Sequence, residues 1–430
     1  MPDTETLTAE ARPAAMPAGP KRLWNLNFLL LMQGQFVSAL GDVAYGIALG
    51  FWVLEKTGST ALMGTLMAAS SLPRIIIAPF AGVVVDRSSR KWMILSMDAI
   101  RGVFIVLVAL AAYAGIMQVW MVFAAGIIIS VGSAFFGPAI GSALPDIVPK
   151  KDLIKANSVF AMFMTGSGMA GSAAGGFTYA LLGAPLMFLA NGISYLVSAT
   201  AMLPVRIPKV EHEPGEFSFF RDLKAGLVFV WRYRGIRNMV TLAALINFFA
   251  SMGFMLLLPL FQKTPGLGSG PYGVVMAGLT GGMFAGYLAT SVLKIPHDKR
   301  FRVFYLLGII SMATAAAVPA FIWFPLMFGL LVVFGAANAV INSFIGASTQ
   351  AAVPGDMRGK VFSLIGTVAG GLTPIAYAVG GVLAEIIPVR ILIAGAFALT
   401  LIVFAFIGIS LPTRRLIAFN TDTDTLEDIR

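Results

Sequence analysis

Apolar stretches long enough to cross a bilayer recur along the chain, separated by short polar breaks. A helix spans a membrane with about 20 mainly apolar residues. On that rule the spans fall at 28–53, 61–85, 92–114, 119–143, 154–182, 186–203, 236–261, 272–293, 303–322, 325–347, 361–384 and 391–411. The longest polar interruption, 205–235, divides them six and six. The predicted fold is an all-α polytopic membrane protein of twelve transmembrane helices, built as two six-helix bundles at 23–204 and 236–412, with tails at 1–22 and 413–430. Residues 1–20, polar and rich in Ala, Pro and Thr, read as a disordered tail. The apolar run after Lys21 and Arg22 is longer than a signal-peptide core and reads as a retained first span.

Within the linker, residues 217–234 place Phe220, Leu223, Leu227 and Trp231 at helical spacing, with Arg221, Lys224, Arg232 and Arg234 between them. This predicts an amphipathic helix, lying either on the membrane surface or against the protein's own face.

Composition agrees with the pattern. The chain is 58% hydrophobic and 12% charged, with mean hydropathy +0.87, against roughly 45–50% and about 25% in soluble domains. The formal charge of +10 does not predict a nucleic-acid partner, because the bases sit in short loops beside apolar spans. Of the 30 Lys and Arg, 25 fall on the side of the termini. Lys56, Lys263 and Arg390 fall opposite, and Arg74 and Arg101 lie within spans. The positive-inside rule then places both termini in the cytoplasm. There is no cysteine, which excludes disulfide and thiolate chemistry, and the two histidines, His212 and His297, lie in polar loops and offer no metal cluster. The glycine run at 278–282 lies inside an apolar span and lacks the lysine of a phosphate-binding loop, so neither an ATP site nor an enzyme is expected. The expected partners are the bilayer and a small-molecule substrate. No cofactor is expected, the energy source being an ion gradient, and the chain is expected to work as a monomer.

The two halves are related. A shift of 205 residues lays Val148-Pro149 on Val353-Pro354, Lys155 on Lys360, Ser158 on Ser363, Gly166 on Gly371 and Gly175-Gly176 on Gly380-Gly381. The same shift sets Asp42 opposite Asn247, so the acid is kept only in the first half. Parallel six-span repeats put a substrate path between the halves near the midplane, exposed to each side in turn.

Between the second and third spans lies Gly82-Val-Val-Val-Asp86-Arg87-Ser-Ser-Arg90-Lys91. It resembles the loop signature G-x-x-x-D-R-x-x-R-[KR] of the major facilitator superfamily, with Ser89 where a glycine is usual. Gln35 to Asp42, Ser71-Leu-Pro73-Arg74, Asp98-Ala-Ile-Arg101 and 148–157 resemble the drug:proton antiporter subgroup that contains macrolide efflux proteins and enterobactin-type siderophore exporters. Residues 167–176, with Gly168, Gly171, Gly175 and Gly176, resemble that group's antiporter motif, with Ser167 and Ser172 replacing a Gly and the Pro. The resemblance implies the major facilitator fold and proton-coupled efflux of a small amphipathic or hydrophobic compound across a bacterial inner membrane. Uptake, lipid or lysophospholipid translocation, and a transport-inactive receptor remain alternatives.

Charged residues inside spans mark transport pathways because their burial in hydrocarbon is costly. Asp42 and Arg74 lie at similar depths on adjacent spans, which permits a pair: either a proton-coupling site at Asp42 with Arg74 as its gate or counter-ion, or a permanent structural ion pair. Asp98 and Arg101 share a helical face, where they pair with each other or extend the network of Asp86 and Arg90. Asp86 is expected to hold the eleventh span near Gly359–Val361 and to pair with Arg358, with Arg87 and Arg90 beside it and Gly82 allowing close packing. Glu55, Glu385 and Arg390 read as solvated anchors. Gln35, Asn247, Phe163, Phe248 and Met252 are candidates for lining the substrate cavity.

Overall fold

The computed structural model describes residues 22–207, 219–293, 295–321, 323–419 and 424–429. The expected disordered tail, save Arg22, lies outside them. Helices form where apolar runs meet clear stop signals. Asn25 caps α1 (Leu26–Thr57), its side chain accepting from the Phe28 amide at 3.0 Å. Gly58 ends that helix at φ 68°, a left-handed conformation that favours glycine. Three more helices follow in the first half: α2 (Thr60–Asp86), α3 (Arg90–Tyr113) and α4 (Val119–Ile147).

The long α5 (Leu153–Met202) is two crossings joined at Gly183, whose φ of 71° reverses the chain, with Pro185 starting the return. The second half holds α7 (Arg234–Lys263), α8 (Ser269–Val292), α9 (His297–Ala317) and α10 (Phe324–Ala352). Its eleventh crossing is broken at Leu372 into α11 (Gly355–Gly371) and α12 (Thr373–Ile386), with Pro374 beginning the second piece. The last crossing is α13 (Val389–Ile407). Eleven helices of the described residues are long and apolar enough to span a membrane, and dividing α5 at Gly183 gives the expected twelve crossings.

Within the first half α1 and α3 pack on α5, and α2 on α4; within the second, α8 packs on α10 and α7 on α13. The face carrying the 86–90 connection and the end of α5 at Met202, where Lys91 donates to the Leu203 carbonyl at 2.5 Å, is the basic face. Apolar side chains such as Leu181, Ile386 and Ile409 are exposed around the bundle, as a hydrocarbon surround requires.

Two peripheral pieces complete the basic face. In α6 (Phe219–Arg232), Gly226 packs against the Lys360 carbonyl of α11 while Leu227 and Trp231 stay exposed. The helix therefore rests on its own protein along one edge and presents apolar residues outward along the other. Of the residues beyond 412, expected as a tail, those to Ile417 complete α14 (Leu411–Ile417) and Leu426–Ile429 form a final turn whose Ile429 is buried against Gly235.

Candidate transport site

A cavity of about 490 Å³ lies between the halves, lined by the middle of α2 and α4 and by α11 and the start of α12. Its walls are mostly small or hydroxylated residues, among them Ser71, Ser133, Gly137, Ser363 and Thr367, with Ile75 and Pro138 adding apolar surface. Among the described residues Arg74 is the one charged side chain on them. Its backbone N–H donates to Ser130 Oγ at 3.1 Å, which ties α2 to α4. Its side chain is exposed and lies near Tyr377 of α12.

A polar seam runs between α1 and the second part of α5. Gln35, Ser38, Asp42 and Tyr45 recur at helical spacing on α1, and Asn191, Ser194, Tyr195 and Ser198 do so on α5. Tyr195 donates its hydroxyl to the half-buried Asp42. Behind it Arg101 forms an ion pair with Asp98, and Ser198 donates to the other carboxylate oxygen at 2.7 Å. The Arg101 guanidinium sits 4.0 Å from the Phe136 ring centroid and 4.3 Å from that of Tyr195, a cation–π arrangement in a desolvated setting. Gln35 Nε2, Ser38 Oγ and Tyr45 OH are buried in the seam with no hydrogen-bond partner among the described residues.

The charged partner predicted for Asp42 is corrected. Arg101, not Arg74, is the cation acting on it, and Tyr195 is its hydrogen-bond donor. Similar depth on neighbouring helices left the rotation of each helix open, and α2 turns Arg74 into the cavity instead.

The halves meet on the face opposite the basic one. At Gly381 of α12 an added β-carbon would lie 2.6 Å from the Thr60 carbonyl oxygen and 2.9 Å from the Gly64 Cα of α2. At Gly176 of α5 it would lie 2.7 Å from the Gly273 Cα of α8. These crossings are duplicates: Gly176 and Gly381 are 205 residues apart, and each closes against the second crossing of the other half. Glu385 adds a cap across the halves, accepting from Ser59 Oγ at 2.8 Å, Thr60 Oγ1 at 3.1 Å and the Ala61 amide at 2.9 Å. Glu55 likewise accepts from Tyr179 at 2.8 Å and from Gln262 of the second half at 3.4 Å. Both glutamates, expected as solvated anchors, therefore join elements; helix starts need acceptors for their free N–H groups, and Glu385 supplies one. Phe51, Tyr272 and Phe261 plug the same region edge to face.

On the basic face the halves part. There α2 scarcely touches α11, and a β-carbon at Gly82 or at Gly359 would meet nothing within 4 Å. The packing expected of Gly82 against the eleventh span is absent in this state. Arg358 donates to the Val353 carbonyl at 3.0 Å within its own half. The Asp86 side chain lies outside the described residues. Arg90 is buried and forms an ion pair with Asp146 of α4, also donating to the Ser142 carbonyl at 2.9 Å. Arg87 is exposed. The pair Asp98–Arg101 joins the Asp42 seam rather than this loop.

The residues expected to line the cavity are elsewhere. Met252 is buried over Gly380, Phe163 packs edge-on with Phe36, Phe248 with Phe249, and Gln35 lies in the seam. Asn247 is exposed and donates to its own helix at Ala243. Hydropathy does not report helix rotation, so soft residues on packing faces and on cavity faces look alike in sequence. In the glycine motif, Gly171 and Gly175 bring α5 against α1 and Gly176 meets α8, whereas Gly168 faces open space. Sequence reasoning missed Asp146, Asn191, Tyr195 and Ser198. The helical spacing of polar residues at 191, 194, 195 and 198 inside an apolar span was the available signal.

Paired six-helix bundles with a cavity between them define a major facilitator transporter, a carrier and not an enzyme. Residues 22–425 match the family described as transmembrane secretion effector, and the chain belongs to it. It is 24% identical over 379 residues to macrolide efflux protein A of Streptococcus pyogenes, covering 85% of this chain and 91% of that protein. It is 24% identical over 415 residues to multidrug efflux pump Tap of Mycobacterium tuberculosis, covering 90% and 93%. A bacterial homologue of the human lysosomal transporter Spinster, solved in an inward-facing and unoccupied conformation, aligns with a TM-score of 0.66 at 15% identity, over 95% of this chain and 99% of that one.

Proposed function

We propose that the protein exports a small amphipathic or hydrophobic compound in exchange for protons, by alternating access, as a monomer in a bacterial inner membrane. The observation that carries this reading is Asp42, a half-buried acid inside a span, bonded to Tyr195 and next to the Asp98–Arg101 pair. Intramembrane acids of this kind mark ion pathways, and the efflux names of the relatives favour outward transport.

The basic face is taken as cytoplasmic, with both termini on it, from the distribution of Lys and Arg. Substrate then enters the cavity from the cytoplasm, where the halves part. Closing α2 on α11 and opening the glycine crossings releases it outside. A proton taken up at Asp42 removes the negative charge beside Tyr195 and Arg101, leaving Arg101 balanced by Asp98 alone, and the α1–α5 seam repacks. Asp86, held against the start of α11 and near Arg358, keeps the cytoplasmic side shut in the outward-facing state. The proton gradient supplies the energy, and no cofactor takes part.

The test is dye uptake into inverted vesicles energised by a pH gradient. Asp42→Asn is expected to abolish gradient-driven accumulation while leaving the folded yield intact. Accumulation in D42N that still follows the pH gradient overturns proton coupling at this residue.

A further inference from the structure

The cavity between the halves carries charge of one sign. Among the described residues lining it, Arg74 is the only ionisable one, and the rest are glycines or apolar or hydroxyl-bearing side chains. Arg74 makes no ion pair with any described acid. The nearby acids are committed elsewhere: Asp42 to Tyr195, Asp98 to Arg101 and Ser198, and Asp146 to Arg90. An arginine at membrane depth is costly unless it faces a watered cavity or a partner, and its planar fork matches carboxylate, sulfonate and phosphate groups. The volume of about 490 Å³ lies in the range that holds drug-sized ligands.

We infer that the transported compound is an anionic amphiphile, its acidic group held by Arg74 and its apolar part lying against Ile75, Ala78, Ala134 and Pro138. The hydroxyls of Ser71, Ser133, Ser363 and Thr367 stand around the same space. Ser133 already accepts from Arg101 Nη1 at 3.3 Å, so the cavity wall also touches the charged seam behind it. A cationic compound would meet the Arg74 charge with no acid among the described wall residues to offset it. The inference rests on this cavity being the substrate path, but it does not require proton coupling.

The test measures binding of fluorescein, an anion, and ethidium, a cation, to the purified full chain by fluorescence polarisation. The wild type is expected to bind fluorescein more tightly. Arg74→Gln should weaken fluorescein about tenfold or more, the loss expected for one charge-assisted hydrogen bond, without weakening ethidium. Arg74→Lys should keep the preference for the anion, and Arg74→Glu should reverse it. A wild type that prefers ethidium or fails to bind fluorescein, or an Arg74→Gln protein that binds fluorescein unchanged, overturns the inference. Should Arg74→Gln not fold, the wild-type preference and the Arg74→Lys protein still decide. Export of ethidium that depends on Asp42 would refute the substrate class while leaving proton-coupled efflux standing.

Discussion

Arg101 is 3% exposed, yet it carries a full charge in the middle of the first bundle. Its position is tolerable because every side of the guanidinium is answered: Asp98 by ion pair, Ser133 by a hydrogen bond, and Phe136 and Tyr195 by ring faces. Removing one partner of a buried pair leaves an uncompensated charge, a loss of roughly 3–5 kcal/mol. Arg101→Gln is therefore expected to lower stability by that order, and the double change with Asp98→Asn to recover part of it. Thermal unfolding in detergent checks this, and an Arg101→Gln protein as stable as the wild type would refute the buried-pair account. The i, i+3 spacing of Asp98 and Arg101 made the pair legible in the sequence. Its connection to Asp42 was not, because it runs through Tyr195, a residue 153 positions from Asp42 that reads as one more aromatic in an apolar span. Asp42 and Arg74 show the converse failure, since matching depth says nothing of which way each helix turns.

At the scale of elements, the contacts that shut the far side are α12 on α2 and its duplicate, α5 on α8. The duplicated Gly175-Gly176 and Gly380-Gly381 were visible as a repeat, but their role emerges only with Gly64 and Gly273 placed opposite them, glycines that no spacing rule singled out. Boundaries of the crossings were readable to within a few residues because Gly, Pro and charged residues end the apolar runs. The break at Leu372 and the docking of α6 on α11 were less so, since both depend on a neighbour. A leucine side chain cannot fit where an added β-carbon already lies 2.6 Å from a carbonyl oxygen, so Gly381→Leu should bias the carrier towards closure of the basic face. Glu385→Ala should act in the same direction more mildly, by about fivefold in the ratio of states, as expected for one helix cap of about 1 kcal/mol. The chain has no cysteine, so a single Ser71→Cys reports access to the cavity. Its maleimide labelling from the basic face is expected to slow in both backgrounds, and unchanged rates would mean that the α2–α12 contact does not set the equilibrium.

For the whole molecule, duplication makes closure on one face and opening on the other a single choice. The apolar core reflects this. One cluster runs continuously through both halves by way of Phe51, Phe261 and Val275, whereas a second, around Phe28, Ile94 and Ile147, stays within the first half. Rocking about the continuous cluster must therefore bring α2 and α11 together as α2 and α12 separate. Gly82, which opens the charged stretch that resembles the superfamily signature, and Gly359 of α11 both have open space at their β-carbon positions in the present state. A protein carrying Gly82→Cys and Gly359→Cys should not cross-link in the state seen here, because a disulfide needs Cα atoms within about 7 Å and α2 scarcely reaches α11. Adding Gly381→Leu should produce the cross-link under mild oxidation, and reduction should return both thiols, at 82 and 359, to maleimide labelling. Absence of the bond in that triple change, with the protein folded, would show that opening of the far side is not coupled to closure of α2 on α11, and that the two ends of the carrier move independently.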